Sequence, residues 1–131
     1  MAKVLIVEDD PLISRMYLKV FTFEGFDIQM AGNGREGLDK LKEFHPDMLL
    51  IDVMMPIMNG VELLASVKAD PATRDIPVIM LTNLADARTA DATIKQGALR
   101  YIVKSDYNPM DVAALVKDIL AKGEKGTDNA N

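Results

Sequence analysis

Five short apolar runs, separated by longer stretches whose apolar residues recur at helical spacing, constrain this chain more than any other feature. The runs lie at 3–7, 26–30, 48–51, 78–81 and 99–103. This alternation predicts repeated βα units. Near-continuous apolarity in the first, third and fourth runs predicts strands covered on both faces, as in a parallel sheet. Right-handed crossovers then give a doubly wound (βα)5 α/β fold, whose ligands bind beyond the carboxyl ends of the strands.

The intervening stretches read as helices. Leu12, Ile13, Met16, Tyr17 and Val20 form one stripe, with Asp10 as a cap, Pro11 near the start and Gly25 past the end. Leu38, Leu41 and Phe44 line a second helix before Pro46, and Val61, Leu64 and Val67 a third that starts near Asn59-Gly60. A fourth, over 86–96, offers mainly Ala87, Ala90 and Ile94, so it is the least firmly packed and the candidate for movement. Val112, Leu115, Val116, Ile119 and Leu120 line a fifth after the Asn108-Pro109 start signal.

A length of 131 residues suits one domain, expected over 1–122, with a flexible polar tail over 123–131. No apolar run approaches the roughly 20 residues needed to span a bilayer. Met1-Ala2-Lys3 leads straight into the first apolar run, without the features of a signal peptide, so the expectation is a cytoplasmic protein with no membrane insertion. The absence of cysteine removes thiolate metal sites and nucleophiles, and a net charge of −5 argues against direct nucleic-acid binding.

The strand ends carry the chemistry. Glu8-Asp9-Asp10 follows the first, Asp52 the third, Thr82-Asn83 the fourth and Lys104-Ser105 the fifth. Taken singly, each has a bland reading: an Asp after a strand usually caps a turn or helix, Thr82 is a strand-end hydroxyl, and Lys104 is a solvated charge. Their shared placement at one sheet edge is the informative fact. Carboxylates from neighbouring strands repel unless a cation neutralises them, and all-oxygen ligation suits Mg2+ or Mn2+ rather than zinc. The lone His45, at a helix end, is expected to be exposed and uninvolved. A metal beside a nucleophilic carboxylate and a lysine suggests phosphoryl transfer, with Asp52 as nucleophile and Thr82 and Lys104 facing the phosphoryl oxygens.

The segments Val4-Leu5-Ile6-Val7-Glu8-Asp9-Asp10, Asp52-Val53-Met54-Met55-Pro56-Ile57-Met58-Asn59-Gly60, Leu81-Thr82 and Tyr101-Ile102-Val103-Lys104 together resemble the receiver domains of two-component response regulators. The likeness is strongest to their free-standing, chemotaxis-protein-like members and covers residues 3–122. It implies a flavodoxin-like parallel sheet of order 2-1-3-4-5. It also implies Asp52 as phosphoacceptor, and Asp9, Asp52 and the Met54 backbone carbonyl as Mg2+ ligands, with Glu8 acting through water. Thr82 matches the switch hydroxyl, Lys104 the phosphate-pairing lysine and Tyr101 the switch aromatic. The implied partners are a histidine kinase or histidine phosphotransfer protein and a downstream target reading the face of helix 4, strand 5 and helix 5. The implied activity is signalling, with no turnover of external substrates.

Four positions depart from the family pattern or bear on rate. Ser105 replaces the usual cis-proline after the lysine, and the expectation is that the Lys104–Ser105 bond stays cis to aim Lys104. Asn83 is bulkier and more polar than the small residue usual there, which bears on phosphodonor access. Met54 and Leu84 stand where the family tunes loss of the phosphoryl group. Three rivals are weaker. A flavodoxin-like electron carrier would need a loop rich in Ser, Thr and Gly where Glu8-Asp9-Asp10 stands. A haloacid-dehalogenase-like phosphatase would need an acid where Met54 stands. A degenerate, partner-binding receiver would not need Glu8, Asp9, Asp52, Thr82 and Lys104 together.

Overall fold

The computed structural model describes residues 1–83 and 87–123. Strands β1 (Lys3–Val7), β2 (Asp27–Ala31), β3 (Met48–Asp52), β4 (Val78–Thr82) and β5 (Arg100–Val103) alternate with helices α1 (Pro11–Phe23), α2 (Gly34–Phe44), α3 (Gly60–Ala69), α4 (Ala87–Lys95) and α5 (Pro109–Lys122). All strand pairs are parallel, in the order 2-1-3-4-5. This is the expected doubly wound flavodoxin-like fold, with strand ends moved by about one residue. Among the described residues no helix is long and apolar enough to cross a membrane. Leu84, Asp86 and the tail over 124–131 lie outside the described residues.

Side-chain alternation along the strands splits the core in two. Leu5, Val7, Leu49, Ile51, Val78 and Met80 face one layer, closed by Leu41 of α2 and Leu63, Leu64 and Val67 of α3. Val4, Ile6, Met48, Leu50, Ile79 and Leu81 face the other, closed by α1 and α5 through Tyr17, Phe21, Val116 and Ile119. Each such buried side chain contributes about 1.5–3 kcal/mol relative to exposure, so β1, β3 and β4 fix the frame. In α4, by contrast, Thr93 is buried and Ile94 is partly buried against the first layer, and no described hydrophobic side chain of the helix is fully buried.

Local signals set the helix ends. Asp10 caps α1 by accepting from the Leu12 and Ile13 N–H groups at 2.9 and 3.3 Å. Reciprocal capping boxes start α3 (Asn59 with Glu62) and α5 (Asn108 with Asp111). The α1 stripe needs a correction: Leu12 and Met16 are 65% and 46% exposed, not core. Tyr17 and Phe21 take the buried side, joined by Phe26, and at 100° per residue Leu12 and Met16 fall more than about 90° round the helix from them.

The β3–α3 connection carries strain. The Met58 N–H donates to the Pro56 carbonyl at 2.8 Å, which makes a γ-turn centred on Ile57. Ile57 has φ 71°, a left-handed value that β-branched side chains resist, while its side chain is exposed. Ile57→Asn, which tolerates that conformation, is expected to raise stability by about 1 kcal/mol in urea denaturation. A loss of stability would mean that Ile57 contributes more through contacts than it costs in strain.

Candidate functional site

Register brings the first two acids together. Val7 pairs with Ile51 across β1 and β3, so Glu8 and Asp52 emerge side by side from parallel strands. Both are nearly buried, at 2% and 5% exposure. Backbone bonds hold each in place: the Glu8 N–H donates to the Ala31 carbonyl at 2.9 Å, and the Val53 N–H donates to the Leu81 carbonyl at 2.9 Å. Gly60, at the start of α3, packs against the end of β3, where an added Cβ would overlap the Asp52 carbonyl. Only glycine permits that approach.

Lys104 enters from β5 through a short 3-10 turn, Lys104–Asp106. Its Nζ pairs with Glu8 Oε1 and lies 3.4 Å from Asp52 Oδ2. The Lys104–Ser105 bond is trans, which overturns the cis expectation. Without proline the cis form costs about 3–4 kcal/mol, and the 3-10 turn aims Lys104 without it. Glu8 is otherwise held by the Asp10 N–H, which donates to Oε2 at 3.1 Å, and the Met54 N–H donates to Asp52 Oδ1 at 3.3 Å.

One ammonium does not balance this site. Burial and, after it, the Glu8 charge push the Asp52 carboxyl from 3.8 up to about 7, against the opposing pull of Lys104. The same negative field reaches α1: burial first, then Glu8 and Asp52, push the Tyr17 hydroxyl up to about 12. Glu8, Asp9 and Asp52 each offer a carboxylate oxygen, all within 4.8 Å of one another. Oxygens on one octahedral cation at about 2.1 Å sit about 3–4 Å apart, so this cluster suits a hard divalent ion.

The remaining sequence-derived residues divide by sheet face. Asp52 pairs with Leu81, and Thr82 pairs with Val103 one position on. Thr82, fully buried, therefore points to the α2–α3 side together with Tyr101, which packs partly buried against that layer. His45 is exposed at a left-handed helix end, as expected. The methionines divide: Met55 is buried and Met58 partly buried, while Met54 is 63% exposed beside Asp52. Sequence reasoning missed the Lys104–Glu8 pair and the placement of Asp10 and Ile13 on the wall of the cavity around Asp52.

The chain belongs to the response regulator receiver domain family, whose model matches residues 4–119. Members are signalling modules of two-component systems, phosphorylated on an aspartate, and they hold a divalent metal in an acidic pocket. The DNA-binding response regulator MtrA of Mycolicibacterium smegmatis is 33% identical over 93% of this chain and 52% of its own length. The chain thus spans about half the length of that relative. A CheY-like receiver domain from Methanospirillum hungatei superposes with a TM-score of 0.86 at 30% identity, covering 93% of this chain and 95% of that one. The Mn2+-bound form of response regulator Rcp1 does so at 0.77 and 25% identity, covering 92% and 93%.

The Asp52 shift gives a signed pH dependence. The folded state keeps the Asp52 proton up to about 7 while the unfolded state releases it near 3.8, so metal-free stability falls as pH rises through that window. A divalent cation held among these carboxylates would take the place of that proton. The Mg2+-induced rise in melting temperature is therefore expected to be larger at about pH 8 than at about pH 5, and Asp52→Asn should flatten the metal-free slope. Thermal melts with and without Mg2+ check this; an equal shift at both pH values would contradict it.

Proposed function

We propose that this chain is a phosphorylation switch in which Asp52 accepts a phosphoryl group from a histidine kinase or a histidine phosphotransfer protein. One observation carries the reading: a nearly buried carboxylate at a strand end opens into a cavity of about 260 Å³ beside a lysine and an acidic cluster. An Asp52 oxygen attacks the phosphorus in line, the P–N bond to the donor histidine breaks, and its electron pair stays on the imidazole, which takes up a proton. Glu8, Asp9, Asp52 and the Met54 backbone carbonyl hold Mg2+, or Mn2+ in its place. Bound there, the ion neutralises charge on the phosphoryl oxygens and masks the carboxylates that otherwise repel them. Lys104 supplies the fixed positive charge beside Asp52, and the buried setting keeps water from diluting it.

The output is a population shift. Thr82 moves toward the phosphoryl group, Tyr101 turns into the space it leaves, and the surface of α4, β5 and α5 changes for a downstream protein. Three features support this: Thr82 and Tyr101 share a sheet face, Ile94 of α4 packs in the same layer as Tyr101, and α4 buries little. The receiver occupies 1–122, and the protein acts in the cytoplasm. With a net charge of −5, this chain signals through protein contact rather than direct DNA contact.

Incubation with Mg2+ and a small acyl phosphate should add one hydroxylamine-labile phosphoryl group by intact mass. The gain should vanish in Asp52→Asn and without metal. A phosphorylated Asp52→Asn protein would remove Asp52 from its role.

A further inference from the structure

Four of the eight described residues lining the cavity around Asp52 are acidic, and Ile13 and Met54 are apolar. Among the described residues only Lys104 and Asn83 bring side-chain hydrogen-bond donors to it. Lys104 is already engaged, paired with Glu8 and close to Asp52. Asn83 is exposed, just past the end of β4. Leu81 is the register partner of Asp52, so alternation turns Asn83 to the same face as Asp52 and Thr82 to the other. The cavity wall agrees, since Asn83 lines it. Two strand steps place Asn83 about 6–7 Å beyond the level of Leu81, toward the cavity mouth. A group carried outward on the Asp52 carboxylate lies on that side.

We propose that Asn83 contacts the phosphoryl group, its side-chain amide donating to a terminal oxygen of the group on Asp52 and so helping the site retain it. This rests on Asp52 being the acceptor. The amide adds a donor with no charge, so it binds the phosphoryl oxygens without competing with a cation for the carboxylates. It also distinguishes this chain from one with a small aliphatic residue at the same place, where the mouth-side oxygens would face water.

The test uses trifluoroberyllate, a stable mimic of a phosphoryl group on a carboxylate, titrated in Mg2+ and followed by fluorine NMR. Wild type, Asn83→Ala and Asn83→Asp are compared, with Mg2+ affinity measured separately in each. Asn83→Ala is expected to bind the mimic about 2- to 10-fold more weakly, the scale of one net hydrogen bond, with Mg2+ affinity unchanged. Asn83→Asp should bind it more weakly still, because a fifth carboxylate then faces the anion. The aspartyl-phosphate of Asn83→Ala should also decay faster than that of wild type. Wild-type affinity in Asn83→Ala would overturn this inference alone. A wild type that binds Mg2+ yet takes no mimic would overturn the acceptor reading and this inference with it.

Discussion

Glu8 and Asp52 are two carboxylates buried side by side on adjacent parallel strands, and the arrangement of the sheet edge answers to their repulsion. Two like charges about 4 Å apart repel by about 4 kcal/mol at an effective dielectric near 20. Lys104 crosses from β5 to pair with Glu8 and approach Asp52, which offsets part of that cost. Asp9 adds a third carboxylate at the same spot, so the edge stays negative. A proton on Asp52 or a divalent cation among the carboxylates would remove the remainder, so the two would compete. Cation affinity and the pH response of this edge are thereby coupled through one charge balance.

The frame that enforces this repulsion is the hydrophobic sheet. β1, β3 and β4 are buried on both faces, so the register that sets Glu8 beside Asp52 cannot slip without moving side chains between the two core layers. Gly60 closes the far side of Asp52 by letting α3 start against the backbone of β3. The opposite face of β4 and β5 is built differently. There Tyr101 packs in the same layer as Ile94 of α4, whose described side chains bury little apolar surface, so the acidic edge lies beside the more weakly anchored side of the sheet.

The strands and the acids were legible because each has a local signature, whereas the sheet order came from the family resemblance. Apolar runs of four or five residues mark the strands, and the acids follow them directly. Helix faces were harder where two apolar stripes competed: Leu12 and Met16 share their helical spacing with Ile13 and Tyr17, and only packing decides that the aromatic pair goes inward. The pairing of Lys104 with Glu8 spans 96 positions, and no local pattern encodes it. Ser105 shows the limit of carrying a family's geometry across a substitution: once proline is gone, the bond reverts to trans and a 3-10 turn orients the lysine. The left-handed Ile57 is likewise invisible from sequence, since nothing in an exposed isoleucine announces a γ-turn.

The most direct test of this charge balance is to locate the cation itself. In an NMR titration with trace Mn2+, paramagnetic broadening should appear first at the amides of Glu8, Asp9, Asp10, Val53 and Met54. It should spare the amino-terminal edge of the sheet around Asp47 and Pro77, and it should disappear in Asp52→Asn at the same metal concentration. Broadening centred elsewhere, or unchanged in Asp52→Asn, would contradict the view that Asp52 and its acidic neighbours form one cation-dependent site.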